Sequence, residues 1–238
     1  MVRERIIGVL GGMGPEATID FQRRVLALTP AEDDADHLRM LIDNNPKVPS
    51  RLAAIVEGTG EDPTPALIAM AQGLEQQGAD FLVMPCNTAH HYHAAVAEAV
   101  SIPFLHMPAL AAKSLASQSG RPRRVGLLAS SALSRIQLYE PHLAEHSLEL
   151  LYPAEDVQTK LMALIRAVKA GDPSDEEVAA FNAAAMKLEW QGAQQLLIAC
   201  TELSALADSL SSDLPVTDAS QVLAEETVAL ARGESPLN

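Results

Sequence analysis

Two twelve-residue stretches, EQQGADFLVMPC at 75–86 and EWQGAQQLLIAC at 189–200, agree at six positions at a constant offset. The matches are Glu75 with Glu189, Gln77 with Gln191, Gly78 with Gly192, Ala79 with Ala193, Leu82 with Leu196 and Cys86 with Cys200. Neighbouring landmarks repeat at similar offsets: RIIGVLGG at 5–12 resembles RRVGLLAS at 123–130, and SIPFLHM at 101–107 resembles DLPVTDA at 213–219. Self-similarity at half the chain length restricts the fold to two copies of one module.

The module is α/β. Short apolar runs at 6–10, 38–43, 81–84, 125–129, 148–152 and 196–199 read as strands. Longer amphipathic or Ala-rich runs at 20–28, 64–77, 89–100, 109–117, 158–170, 175–191 and 221–232 read as helices. This alternation predicts βαβ units and mostly parallel sheets flanked by helices. Aromatic residues are only 3% of the chain, which suits helices on a buried sheet better than a β-sandwich. The expected division is a first domain of 1–107 plus 216–238 and a second of 108–215, related by a pseudo-twofold duplication with a cleft between them.

In such modules Cys86 and Cys200 each stand at the C-terminal end of a buried strand, just before a helix. Open α/β sheets bind ligands at that edge. Asn87-Thr88 and Thr201-Glu202 follow the two thiols. Helix-start amides there can favour a thiolate or hold a carboxylate. A free cysteine taken alone is most simply a small buried hydrophobe. A matched pair on opposite walls of one cleft is a base and an acid on two faces of a carbon, the arrangement that racemisation requires. The developing enediolate then needs preorganised donors, which the Asn-Thr and Thr-Glu turns are placed to supply.

GGMGPEAT at 11–18, NNPKVPSR at 44–51, MPCNTAH at 84–90 and CTE at 200–202 resemble the cofactor-independent aspartate/glutamate racemase superfamily, most closely its aspartate racemase branch. The likeness runs over essentially the whole chain. It implies an isomerase acting on a small amino acid, with Cys86 and Cys200 as acid and base, no pyridoxal phosphate or other cofactor, and a homodimer. It also implies that Met13, Asn87, Thr88, Thr201 and Glu202 line the substrate site, and that Arg51 and Lys169 bind carboxylate. Arg suits bidentate carboxylate recognition and Lys a point contact. For Lys169 the plain alternative is a surface lysine complementing the helix dipole in the last turn before Gly171. The second motif reads ACTE where glycine commonly precedes the cysteine, which leaves substrate choice open.

Other readings carry less. A net charge of −14 argues against nucleic acid or an anionic membrane surface as partner. The N-terminal apolar run breaks at glycines after five residues, too soon for a signal peptide or a membrane span, so the expected location is cytoplasmic. Gly12-Met13-Gly14-Pro15-Glu16-Ala17 fits a dinucleotide fingerprint, but Pro15 removes a backbone donor where a pyrophosphate would lie. His90, His91 and His93 lack a carboxylate-bearing metal signature and read as a solvated helix start, with one histidine behind the site. The expected substrate is aspartate; the rival functions are a glutamate or broad-specificity amino-acid racemase, a decarboxylase of malonate-type acids, a hydantoin racemase, a maleate isomerase, and an amino-acid-binding protein without catalysis.

Overall fold

A computed structural model describes residues 4–118 and 123–235. The first three residues of the N-terminal stretch lie outside the described residues. The chain divides into two compact units, Met1–Met107 with Ser220–Asn238, and Pro108–Ala219.

The first unit holds strands β1 (Ile7–Gly11), β2 (Met40–Asn44) and β3 (Phe81–Val83), and helices α1 (Pro15–Leu28), α2 (Thr64–Gln76) and α3 (His93–Ala97). Helix α4 (Met107–Ser117) begins at the unit boundary. The second unit holds β4 (Arg124–Leu128), α5 (Ser131–Ile136), α6 (Glu140–Ala144), β5 (Glu149–Leu151), α7 (Glu155–Ala170), α8 (Asp175–Trp190), β6 (Gln195–Ile198), α9 (Thr201–Ser204) and β7 (Val216–Asp218). Helix α10 (Ala219–Ala231) returns the chain to the first unit.

Each unit has one parallel sheet. The first runs β2-β1-β3, with a single further parallel bridge from Leu82 to Phe104. The second runs β5-β4-β6-β7. Strands β1, β3 and β6 are buried along their whole length, as expected for parallel strands covered on both faces.

The duplication extends to single hydrogen bonds. α2 and α8 both end in a Schellman turn on a left-handed glycine, Gly78 at φ 95° and Gly192 at φ 91°. In the first, Gly78 N–H bonds Glu75 O and Ala79 N–H bonds Leu74 O; in the second, Gly192 bonds Glu189 and Ala193 bonds Leu188. The next residue clamps the start of the first strand in each unit. Asp80 N–H donates to Ile6 O, and its carboxylate accepts from Ile6 N–H at 2.7 Å. Gln194 N–H donates to Arg124 O, and its side-chain oxygen accepts from Arg123 N–H at 2.8 Å. Leu82 and Leu196 then donate to Pro103 O and Pro215 O. The repeated letters therefore mark turn, clamp and strand in two copies.

Two expectations are corrected, and several short elements have no counterpart among them. α1 starts at Pro15 rather than at 20, because Pro is suited to the first helical turn, where its missing N–H costs nothing. The helix expected over 89–100 is a 3-10 turn, Thr88–Tyr92, followed by the short α3. The break is at Tyr92, whose φ of −99° and ψ of 3° leave the helical region. β7 was hidden because Val216–Asp218 has three residues with only one buried. A π-helical turn, Ala53–Glu57, and the short α5, α6 and α9 carry no extended apolar period to reveal them.

Candidate active site

In the first unit β3 runs out through Met84 and Pro85 to Cys86, whose N–H turns back onto Met84 O at 2.8 Å. Cys86 and Asn87 are buried, and Thr88 is half-buried at the start of the 3-10 turn. Cys86 packs in one apolar cluster with Leu10, Met13 and Met84. The thiol and the Met13 turn are thus held by the same core.

Met13 follows Gly12, whose φ of 88° and close approach to Asn45 admit only glycine; an added Cβ would lie 2.4 Å from the Asn45 backbone. The Gly12 N–H is taken by the Thr18 hydroxyl at 2.8 Å. That amide is spent within the turn, so the glycines shape a bend rather than a phosphate cradle.

Arg51 fastens this bend from the side. Its Nη1 donates to Val48 O at 3.2 Å and Pro49 O at 2.9 Å, and its Nη2 donates to Met13 O at 3.2 Å. A guanidinium has five N–H donors, so two remain, one of them on Nε. Nε is buried and has no hydrogen-bond partner among the described residues. Asp62 and Tyr92 stand in the same neighbourhood: burial first, then the Asp62 charge, raise the Tyr92 phenol, and Arg51 opposes them.

His90 is buried, which corrects the solvated helix start. Its Nδ1 lies 2.9 Å from Cys86 O, and its Nε2 lies 3.1 Å from Met107 N. The amide can only donate and the carbonyl can only accept. The ring is therefore neutral with its proton on Nδ1. Burial, then the neighbouring His106, push its pKa down to about 3. With one nitrogen protonated and the other accepting an amide, no lone pair is left for a metal.

In the second unit β6 ends at Ile198 and Cys200 is the residue before α9. Its Sγ lies 3.1 Å from Glu202 Oε2, and Lys169 Nζ lies 3.4 Å from Glu202 Oε1. Cys200, Thr201 and Glu202 are all buried, while the Lys169 side chain is about a third exposed, at 37%. Lys169 reaches Glu202 from the last turn of α7, just before the left-handed Gly171 cap. It is an ion-pair partner rather than only a dipole complement.

Burial and then the Glu202 carboxylate hold the Cys200 thiol well above its ordinary pKa; Lys169 and the Leu203 backbone N–H pull the other way. The helix-start amide expected to favour thiolate is present and is outweighed. At neutral pH Cys200 is a thiol donating to a carboxylate.

Behind it, Ser204 Oγ lies 3.3 Å from Cys200 O and donates to Asp218 Oδ1 at 2.6 Å. Tyr139 is buried near Asp218 and Cys200; burial first, then the Asp218 charge, raise its phenol. Sequence reasoning passed over Ser204, Asp218 and Tyr139, and placed one unspecified histidine behind the site. One signal was available, since His90 and Ser204 both stand four residues after a repeated cysteine.

Among the described residues there is no group of three or more His, Cys, Asp or Glu side chains spaced to hold a metal. None of the described helices is long and apolar enough to cross a membrane.

A family model described as Asp/Glu/Hydantoin racemase matches residues 10–227. The chain belongs to this racemase family. It is 28% identical over 228 residues to the broad specificity amino-acid racemase RacX of Bacillus subtilis (strain 168), covering 94% of this chain and 97% of that one. It is similar to the solved aspartate racemase of Picrophilus torridus at 30% identity and a TM-score of 0.80, covering 98% of this chain and 96% of that chain. An aspartate racemase homologue from Pyrococcus horikoshii OT3, at 20% identity and a TM-score of 0.74, shares the fold over 96% of this chain and 99% of its own. Family membership implies a small amino-acid substrate and a racemase-type isomerase.

Proposed function

We propose that this chain racemises aspartate without a cofactor, with Cys86 and Cys200 as the proton-transfer pair. The observation that carries the reading is the equivalence of the two thiols: each is buried just past the same strand of a duplicated module. One cysteine as thiolate takes the Cα proton of one enantiomer, and the electron pair moves into the α-carboxylate to give an enediolate. The other cysteine, as thiol, returns a proton to the opposite face. No atoms are gained or lost, and each turnover exchanges the protonation states of the two sulfurs.

In this reading the amides and hydroxyls of Asn87-Thr88 and Thr201 meet the enediolate charge, as oxyanion donors do elsewhere. Arg51 takes a substrate carboxylate with the two N–H donors it does not spend on Val48, Pro49 and Met13. A buried donor without a partner costs stability unless a ligand satisfies it, which supports that role for Nε. Homodimerisation accompanies the proposal as a family-based expectation, and a cytoplasmic location as one drawn from the N-terminal sequence.

A second reading, racemisation of amino acids with uncharged side chains, is favoured by one observation. The Lys169 charge is already compensated by Glu202 at 3.4 Å. It is therefore a weaker partner for a side-chain carboxylate than an uncompensated lysine.

The test is a set of racemisation rates for L-aspartate, L-glutamate and uncharged amino acids, with Cys86→Ser and Cys200→Ser beside the native enzyme. Native racemisation of aspartate, with less than about a hundredth of it left in each variant, is the expected result; general acid or base removal costs factors of that order. Racemisation surviving in either variant would sink the two-thiol scheme. Higher kcat/KM on uncharged substrates would choose the second reading.

A further inference from the structure

We propose that His90 is a positioning residue for Cys86, holding the cysteine's own carbonyl so that the sulfur has one fixed origin. This deepens the racemase reading and rests on it for its catalytic meaning. A side chain four residues after a residue normally lies over it in a helix and leaves its carbonyl to the i+4 amide. Here the turn is 3-10: His90 N–H goes to Asn87 O, so Cys86 O is not taken by that amide. The imidazole takes the carbonyl instead, at 2.9 Å, and its far nitrogen accepts Met107 N–H at 3.1 Å. Cys86 is thereby bridged to the residue that opens α4.

The second unit places a side chain at the same spacing. Ser204 Oγ sits 3.3 Å from Cys200 O and is bound at 2.6 Å to Asp218, at the end of β7. Met107 and Asp218 lie in the two repeated segments SIPFLHM and DLPVTDA. In both copies the fourth residue on meets the cysteine carbonyl and the segment that follows Pro103 or Pro215, but the carbonyl contact is the imidazole in the first and the Ser204 backbone N–H in the second. The single hydroxyl proton of Ser204 goes to Asp218, so Oγ has none left for Cys200 O, which is taken instead by the Ser204 backbone N–H at 2.9 Å. His90 has a separate ring nitrogen for each partner and serves both at full strength.

The ring is packed on three sides. His93 stacks at a centroid distance of 5.8 Å, His106 meets it edge-on at 5.3 Å, and Phe104 lies at 6.3 Å. His93 is itself bound to Phe104 O at 3.0 Å. Among the described residues the titratable groups facing the ring are two more imidazoles, His93 and His106, and no carboxylate, an environment that keeps His90 uncharged and its Nε2 an acceptor.

The test compares native protein with His90→Asn and His90→Gln. Asn puts an N–H where Nδ1 stands and keeps the Cys86 contact; Gln reaches the Nε2 position and loses it. Alkylation of both cysteines by iodoacetamide is followed by mass spectrometry, with Cys200 as the internal standard. The expected result is a Cys86 to Cys200 rate ratio near native in His90→Asn and raised about fivefold in His90→Gln, the size of one ordinary hydrogen bond. Racemisation kcat should fall by a similar factor in His90→Gln with KM nearly unchanged, and return in His90→Asn. Equal ratios in all three proteins, or both thiols accelerating together, would overturn the proposal without bearing on the racemase reading. The native protein gives an independent check through 15N spectra with labelled histidine: His90 should be the neutral Nδ1–H tautomer, and an Nε2–H tautomer would contradict the bridge.

Discussion

The Cys200 thiol donates to the Glu202 carboxylate at 3.1 Å, and the same carboxylate meets Lys169 at 3.4 Å. The three form a line in which one anion sits between a sulfur and an ammonium. The carboxylate stabilises the protonated sulfur and opposes its ionisation, while the ammonium does the reverse. Any substitution along the line should shift the thiol in a direction fixed by charge.

Glu202→Gln removes the negative neighbour and leaves the burial. Cys200 should become more acidic, with roughly tenfold more thiolate at pH 8 for each unit of downward shift. Lys169→Met removes the opposing cation and should slow alkylation of Cys200. The check is the iodoacetamide rate of Cys200 across pH 6–10 in the three proteins. A shift of the two variants in the same direction would contradict the charge ordering.

Acid should weaken the fold through His90. Its folded pKa of about 3 lies below the ordinary 6.5, so the unfolded chain binds more protons between those values. The contribution to stability is fully present above pH 6.5, declines as pH falls, and is gone once pH passes below about 3. At pH 4 the loss amounts to about 3 kcal/mol, from some 2.5 units at 1.36 kcal/mol each. Urea unfolding at pH 7 and pH 4 should show this difference in native protein. The loss should be smaller by about that amount in His90→Asn, whose side chain does not titrate, while the carboxylates with lowered pKa, such as Glu75 and Glu177, keep their share.

Gly8 and Gly126 mark equivalent points of β1 and β4, each facing the strand and turn that carry its unit's cysteine. A Cβ at Gly8 would sit 2.7 Å from Leu82 Cδ2 and 2.8 Å from Ala79 Cβ; at Gly126 it would sit 2.9 Å from Leu196 Cδ2 and 3.2 Å from Ala193 Cβ. Gly→Ala at either position should cost about 1–3 kcal/mol by overpacking. The Gly8 variant should suffer more, because two contacts fall below 3 Å rather than one. Thermal unfolding of the two variants measures the order.

The parts of this fold legible in the sequence were those that repeat or keep a period. Gly78 and Gly192, the two cysteines, and the apolar strands between them depend on local turns and buried pairing, and their letters recur. The helix expected from 175 opens at Asp175, with Ser174 and Glu177 in a reciprocal capping box. The links Arg51 to Met13, Lys169 to Glu202 and Ser204 to Asp218 span 38, 33 and 14 residues and follow from packing, so no pattern announces them. The His90 contact is only four residues long, yet it was hidden as well. A helical reading of 89–100 gives the Cys86 carbonyl to an amide, and only the 3-10 turn releases it to the ring.

The most direct measurement of the two-thiol claim is proton NMR of L-aspartate with the enzyme in D2O, with enantiomers resolved early in the reaction. The expected result is D-aspartate carrying deuterium at Cα while the remaining L-aspartate still carries protium, since one thiol removes and the other delivers. Deuterium appearing equally in both enantiomers from the start would contradict separate acid and base. Neither exchange nor inversion with aspartate or any other amino acid would contradict racemisation itself.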